Sequence, residues 1–269
     1  MEALMRVALF AFLTIVLSCI TSTTASAQDP RVIHLKAKIL EKMPDSRWTR
    51  DALGTTVERE ARATEHAESI IKAADRYIEE WQVFAADAGW TEFEPKRDLP
   101  ALVSAVAYSE SSFRSVIRLD DDTLVKKAPK SGRADMGVLQ VRAPSTTAAN
   151  CGVKNKADVQ RLVDDLPFAY MTGTCILTRR VAAYINRYKS QAFTRFQRTE
   201  RANFDLAFYG VGVRRESPEH YKLARELVIV ERYNWGDKDL YLHKLHGGYA
   251  RRVVSLFEFF RLPVHDCGA

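Results

Sequence analysis

From Thr56 to about Ala86 the chain runs without Pro or Gly and is rich in Ala, Glu, Arg, Lys and Ile, which predicts one long helix that is polar over much of its surface. Gly89 and the stretch Glu92-Phe93-Glu94-Pro95 interrupt it. Asp98 then suits a cap for the next helix, with Pro100 tolerated in its first turn. Apolar periodicity predicts further helices at about 156–163, 167–190, 202–209, 218–231 and 248–260. The segment from Leu119 to Arg133 reads as a loop, because Asp120-Asp121-Asp122 and Lys126-Lys127 lie beside Pro129 and Gly132. Alternating strand patterns are nearly absent, and only Gly137 to Arg142 reads as a short extended piece. The expected fold class is mainly α.

The helix that starts at Leu99 carries the most chemical information. At roughly 100° per residue, Leu99, Leu102, Val103, Val106 and Phe113 fall in one band and define a buried stripe. Glu110 falls in the same band. A carboxylate on an apolar face loses hydration, and the carbonyl end of the helix dipole further disfavours its charge. Both effects would raise its pKa, as a general acid working near neutral pH requires. The plain alternative is a Glu paired with one of the chain's many arginines, or placed beyond the helix end in solvent.

Composition narrows the setting. With 269 residues, 46% hydrophobic and 28% charged, the chain can bury a core and is not wholesale disordered. Arg6 precedes a run from Val7 to Ile20 that is apolar but for Thr14 and Ser18, and Ala25-Ser26-Ala27 follows it. That order predicts an export signal over residues 1–27 cleaved before Gln28, since the run is too short to cross a bilayer. Val16-Leu17-Ser18-Cys19 loosely resembles a lipobox, so an outer-membrane lipoprotein anchored at Cys19 is an alternative. Removing residues 1–27 deletes Glu2 and Arg6 and leaves the net charge at +6, which suits polyanions outside the cytoplasm or simply a soluble basic surface. In an oxidising compartment Cys151 and Cys175 are the local pair, with Cys267 spare, although pairing of Cys267 with either stays open. No second run is long enough to span a membrane, and nothing resembles a nucleic-acid-binding module.

Around the acid the chain reads Glu110-Ser111-Ser112-Phe113, then Ser131, then Asp135-Met136-Gly137-Val138-Leu139-Gln140-Val141 with Pro144 and Thr146. Much later come Leu206-Ala207-Phe208-Tyr209-Gly210-Val211-Gly212 and Tyr249-Ala250-Arg251-Arg252-Val253. This order resembles the soluble lytic transglycosylase catalytic domain of the lysozyme-like superfamily, over about 98–256, with the Asp before Gly137 closer to its secretion-associated members. The chain departs from that pattern in several places. The loop after Glu110 is long, Gly210 stands for an Asn, and Ala169-Tyr170 stands for the Asn-Ile ahead of the glycine matching Gly173.

The resemblance implies a lysozyme-like helical domain at 96–262, a helical extension at 28–95 and a tail at 263–269. It implies cleavage of the β-1,4 bond between N-acetylmuramic acid and N-acetylglucosamine with a 1,6-anhydro product, and Glu110 as acid and then base. Ser131, Gln140 and Tyr209 would contact the substrate. No metal or cofactor is implied. The partners would be peptidoglycan glycan strands, with an envelope-spanning or secretion assembly as a further candidate. Two other functions fit the same residues: a goose-type lysozyme that uses water, and a non-catalytic wall-binding or assembly protein. Asp120-Asp121-Asp122 and Asp135 are lesser candidates for a second carboxylate, and His243 with His246 lacks a third metal ligand.

Overall fold

The computed structural model describes residues 28–43, 54–88, 93–119, 124–125, 134–188 and 248–263. Among them the chain is mainly α. Its helices are α1 (Pro30–Lys42), α2 (Thr56–Asp75), α3 (Ile78–Ala88), α4 (Pro95–Ser111), α5 (Thr146–Asn150), α6 (Lys156–Asp164), α7 (Leu166–Tyr188) and α8 (Gly248–Phe260). The short strands are β1 (Ile117–Arg118), β2 (Leu124–Val125), β3 (Ala134–Met136) and β4 (Val141–Ala143). Signal, lipobox, Ser131, Tyr209, His243, His246, Cys267 and the helices expected at 202–209 and 218–231 lie outside the described residues.

α2 opens with a reciprocal cap between Thr55 and Glu58, which satisfies two backbone N–H groups that the first turn leaves over. Its face of Ala63, Ala67, Ile70, Ile71 and Ala74 is buried, and these mostly small residues let α1, α4 and α7 approach it. The one long polar helix expected over 56–86 is therefore two helices, and the first is central rather than solvated. The helix breaks at Arg76-Tyr77, and beyond it Trp81, fully buried, donates its indole N–H to Thr178 Oγ1 on α7 at 2.9 Å. An indole buried without that partner would be costly.

α4 begins at Pro95, earlier than expected, so Pro95 rather than Pro100 occupies the N-terminal turn and Asp98 lies inside the helix. The Asp98 carboxylate has no solvent exposure and accepts from the Glu94 backbone N–H at 2.7 Å, from Arg97 Nε at 2.7 Å and from Arg261 Nε at 2.9 Å. A buried carboxylate survives when its lone pairs are filled and cations flank it, and the positive end of α4 helps. Arg261 follows α8, so this cluster clasps the C-terminal helix onto the start of α4. Val253, Phe257 and Phe260 of α8 complete that contact.

The four strands form an antiparallel sheet in the order β2-β1-β3-β4. Register places Arg118, Asp135 and Arg142 opposite one another in one row and Ile117, Met136 and Val141 in the next. The second row is buried and the first is half-buried, so the sheet lays one face on the core. Two expectations need correction here. Leu124–Val125, within the segment read as loop, is a strand paired with β1, and the first four residues of the extended piece expected over 137–142 are instead a turn, leaving only Val141 and Arg142 in a strand. Such strands are too short to show alternation.

Leu35 and Ile39 of α1, Ile70 of α2, Leu102 of α4, Met136 of β3 and Phe257 of α8 belong to one continuous hydrophobic core. The helices ahead of residue 95 thus share the core of those that follow. Cys151 and Cys175 form a disulfide with Cα atoms 5.8 Å apart, fastening the end of α5 to α7. Closing that loop stabilises the fold by roughly 3 kcal/mol in the chain-entropy model. Among the described residues, no helix is long and apolar enough to cross a membrane.

Candidate functional site

Leu99, Leu102, Val103 and Val106 of α4 are buried as expected, but so is every residue from Asp98 to Ala107, so the helix is enclosed on all faces there rather than along one stripe; Glu110 lies one residue before its end. Glu110 is half-buried rather than enclosed. Phe113 is buried too, but beyond the helix, because the chain reverses first. Ser112 caps α4 in the left-handed region at φ 55°, sending its N–H to Tyr108 O at 2.9 Å, and Phe113 follows at φ 61°. Two successive left-handed residues, one of them aromatic, are a strained arrangement that the surroundings must enforce.

The turn from Gly137 to Gln140 packs against this helix end. Ser111 Oγ donates to Val138 O at 2.7 Å, which joins the residue next to Glu110 directly to that turn. Arg118 on β1 donates through Nη2 to the Glu110 carbonyl at 2.8 Å, a cation placed at the negative end of the helix. Gln140 is 8% exposed, and its Nε2 donates to Gly137 O at 2.7 Å and Val116 O at 3.1 Å. Its side chain therefore ties the loop together. The atom left over is Oε1, which is buried without a hydrogen-bond partner. Asp135 faces Arg142 at 3.4 Å across the strands.

The sequence reading overlooked what lies behind the turn. Phe113 is surrounded by the rings of Tyr108, Phe260 and His66, with centroids 5.7, 5.7 and 5.5 Å away. His66, on α2, is 4% exposed, and its Nδ1 is 2.8 Å from the Tyr170 hydroxyl on α7. Burial, with a smaller contribution from the charge on Arg62, pushes the imidazole down to about 3. Burial likewise raises the Tyr170 phenol well above its usual range. At neutral pH both are uncharged, and the hydroxyl donates to Nδ1 when the imidazole proton sits on Nε2. The one sequence signal was Tyr170 itself, which departs from the pattern that the chain otherwise resembles.

This pair has a consequence for acid stability. Above about pH 6.5 His66 is neutral in both folded and unfolded chains and adds no pH dependence. Below that the unfolded chain binds a proton that the folded one refuses, so stability falls as pH drops toward about 3. The loss is expected to approach about 1 kcal/mol per pH unit between pH 6 and pH 4. Urea unfolding of the parent and of His66→Gln over that range measures it, with the shallower dependence in the variant. Equal slopes would show that the imidazole protonates in the folded state.

Among the described residues, no group of three His, Cys, Asp or Glu could hold a metal ion. The chain matches no family model, no curated protein and no solved structure. Fold and site together define a mainly α protein in which a helix ending in a half-buried carboxylate abuts a small antiparallel sheet.

Proposed function

We infer that the protein is an exported lytic transglycosylase of lysozyme-like fold that cleaves the glycan strands of peptidoglycan. The observation that carries this reading is the placement of Glu110 in the last turn of α4, with the Gly137–Gln140 turn bonded to the next residue through Ser111. Two sequence segments more than twenty residues apart that resemble one family's motifs thereby meet in space. The export pattern and the basic charge fit the same substrate, an anionic polymer outside the cytoplasm.

The chemistry needs one carboxyl group. Protonated Glu110 gives its proton to the glycosidic oxygen as the bond to the anomeric carbon breaks, while the N-acetyl oxygen of the muramyl sugar attacks that carbon and forms an oxazolinium ion. Ionised Glu110 then removes the proton from the C6 hydroxyl, whose oxygen takes the anomeric carbon as the oxazolinium C–O bond opens. A 1,6-anhydro ring results and no water is consumed. Ser131 and Tyr209, assigned to the reacting N-acetyl group by resemblance, lie outside the described residues. Gln140 acts on this reading mainly by holding the loop beside the acid.

Mass spectrometry of the products tests the reaction. Purified sacculi incubated with the protein are expected to release muropeptides with 1,6-anhydromuramyl ends. Reducing ends would mean that water takes the place of the C6 hydroxyl, as in a goose-type lysozyme, and no release would leave a wall-binding protein.

A further inference from the structure

We propose that His66, in the segment ahead of the helix that carries the acid, is a positioning residue for Glu110: oriented by the Tyr170 hydroxyl, it holds shut the strained turn at Ser112-Phe113 that directly follows the helix end carrying that carboxylate. This rests on the lytic reading for its catalytic consequence, whereas its mechanical part stands on geometry.

Glu110 belongs to the last turn of α4, and two residues further on the backbone enters the left-handed region and stays there through Phe113. For an aromatic residue that conformation is an outlier, and such outliers persist where packing over-determines them. The packing here is a cage of rings. Tyr108 comes from α4 itself and Phe260 from α8, while His66 comes from α2, with its ring inclined 60° to that of Phe113. His66 is fixed by a side-chain hydrogen bond to a further helix, at 2.8 Å from Tyr170 and 104 residues away in sequence. Tyr170 touches it edge-on as well, at 86°. A hydrocarbon would fill the space, but an imidazole with a single bonded partner has one orientation.

The chain thus gives an otherwise puzzling pair of features a common purpose. Tyr170 departs from the resembled pattern, and α2 lies outside the stretch over which the resemblance runs. These are the two residues that bond to each other behind the acid. A catalytic carboxylate displaced by an ångström loses much of its rate without losing substrate affinity, because binding groups elsewhere are unmoved.

The test compares the full-length parent with Tyr170→Phe, which removes one hydroxyl and keeps the ring, and with His66→Leu. Amide hydrogen exchange is followed at Ser112 and Arg114, whose N–H groups donate to Tyr108 O and Ser111 O at the helix end and turn, with Leu35 on α1 as internal reference. Both amides are expected to exchange about tenfold faster in the variants, relative to Leu35, as the turn loosens. On sacculi, kcat per folded molecule is expected to fall by about tenfold or more with KM changed by less than about twofold. A residue that merely stabilises would lower the unfolding midpoint and leave kcat per folded molecule unchanged. Unchanged exchange in Tyr170→Phe, or faster exchange with parental kcat, overturns the proposal. If the parent releases no muropeptides, the lytic reading fails by itself, and the exchange measurement still decides whether His66 holds the turn.

Discussion

Glu110→Gln is expected to clear purified sacculi about 10³-fold more slowly than the parent, in line with what a general acid contributes. Gln has the shape of Glu but no proton to give and no negative charge with which to take one back, so both halves of the reaction stop together. The backbone contacts around residue 110 are kept. Arg118 bonds the backbone carbonyl of residue 110, the Ser112 cap uses backbone atoms, and Ser111 reaches Val138 through its own hydroxyl, none of which depends on the Glu110 side chain. Turbidity loss of sacculi measures the rate, and the urea midpoint checks the fold. A variant that clears at the parental rate would remove Glu110 from the chemistry and with it the transglycosylase reading. A variant that still sediments with sacculi while failing to clear them separates binding from cleavage.

The legible parts of this molecule are the helices with a clear apolar pattern. α6, α7 and α8 lie where apolar periodicity places them, α8 through a stripe of Val253, Phe257 and Phe260, and α7 as a helix buried nearly all round from Ala169 to Thr178. The apolar positions of α4 are legible too and bring Glu110 into view, although the helix is enclosed on every face from Asp98 to Ala107, which no one-sided periodicity announces. The break at Arg76-Tyr77 is not legible, since both residues are acceptable in a helix, and neither is the partner of Trp81, Thr178, almost a hundred residues away. Nor is the start of α4, where Asp98 looks like a cap on local grounds but is held within the helix by Arg261, from the far end of the chain. The sheet escapes notice because two- and three-residue strands carry no period, and only their pairing defines them. His66 escapes for a related reason. A lone His among alanines and glutamates says nothing until Tyr170 and Phe113 are seen to close around it.

The turn beside the acid also makes one glycine indispensable. Gly137 sits at φ 73°, and a Cβ built there would enter the Leu162 carbonyl oxygen, with the Ala169 methyl 3.6 Å away. A backbone atom at the end of α6 cannot rotate aside, so Ala at this position forces α6 from β3 or distorts the turn. The same residue receives Gln140 Nε2 on its carbonyl and sends its own N–H to Val116 O at 2.8 Å, and both bonds are aligned by the present backbone. Left-handed strain alone costs about 1–2 kcal/mol for a residue with a Cβ. The steric overlap brings the expected loss for Gly137→Ala to about 3 kcal/mol or more. Gly152→Ala is the control, because Gly152 also has a positive φ, of 100°, yet its nearest neighbour would be Phe168 Cε2 at an ordinary 3.8 Å. It should lose only the conformational part, about 1–2 kcal/mol. Urea unfolding of the two variants against the parent measures the difference. Equal losses would mean that α6 yields freely to a methyl group at residue 137, and that the loop behind Glu110 is not held by close backbone packing.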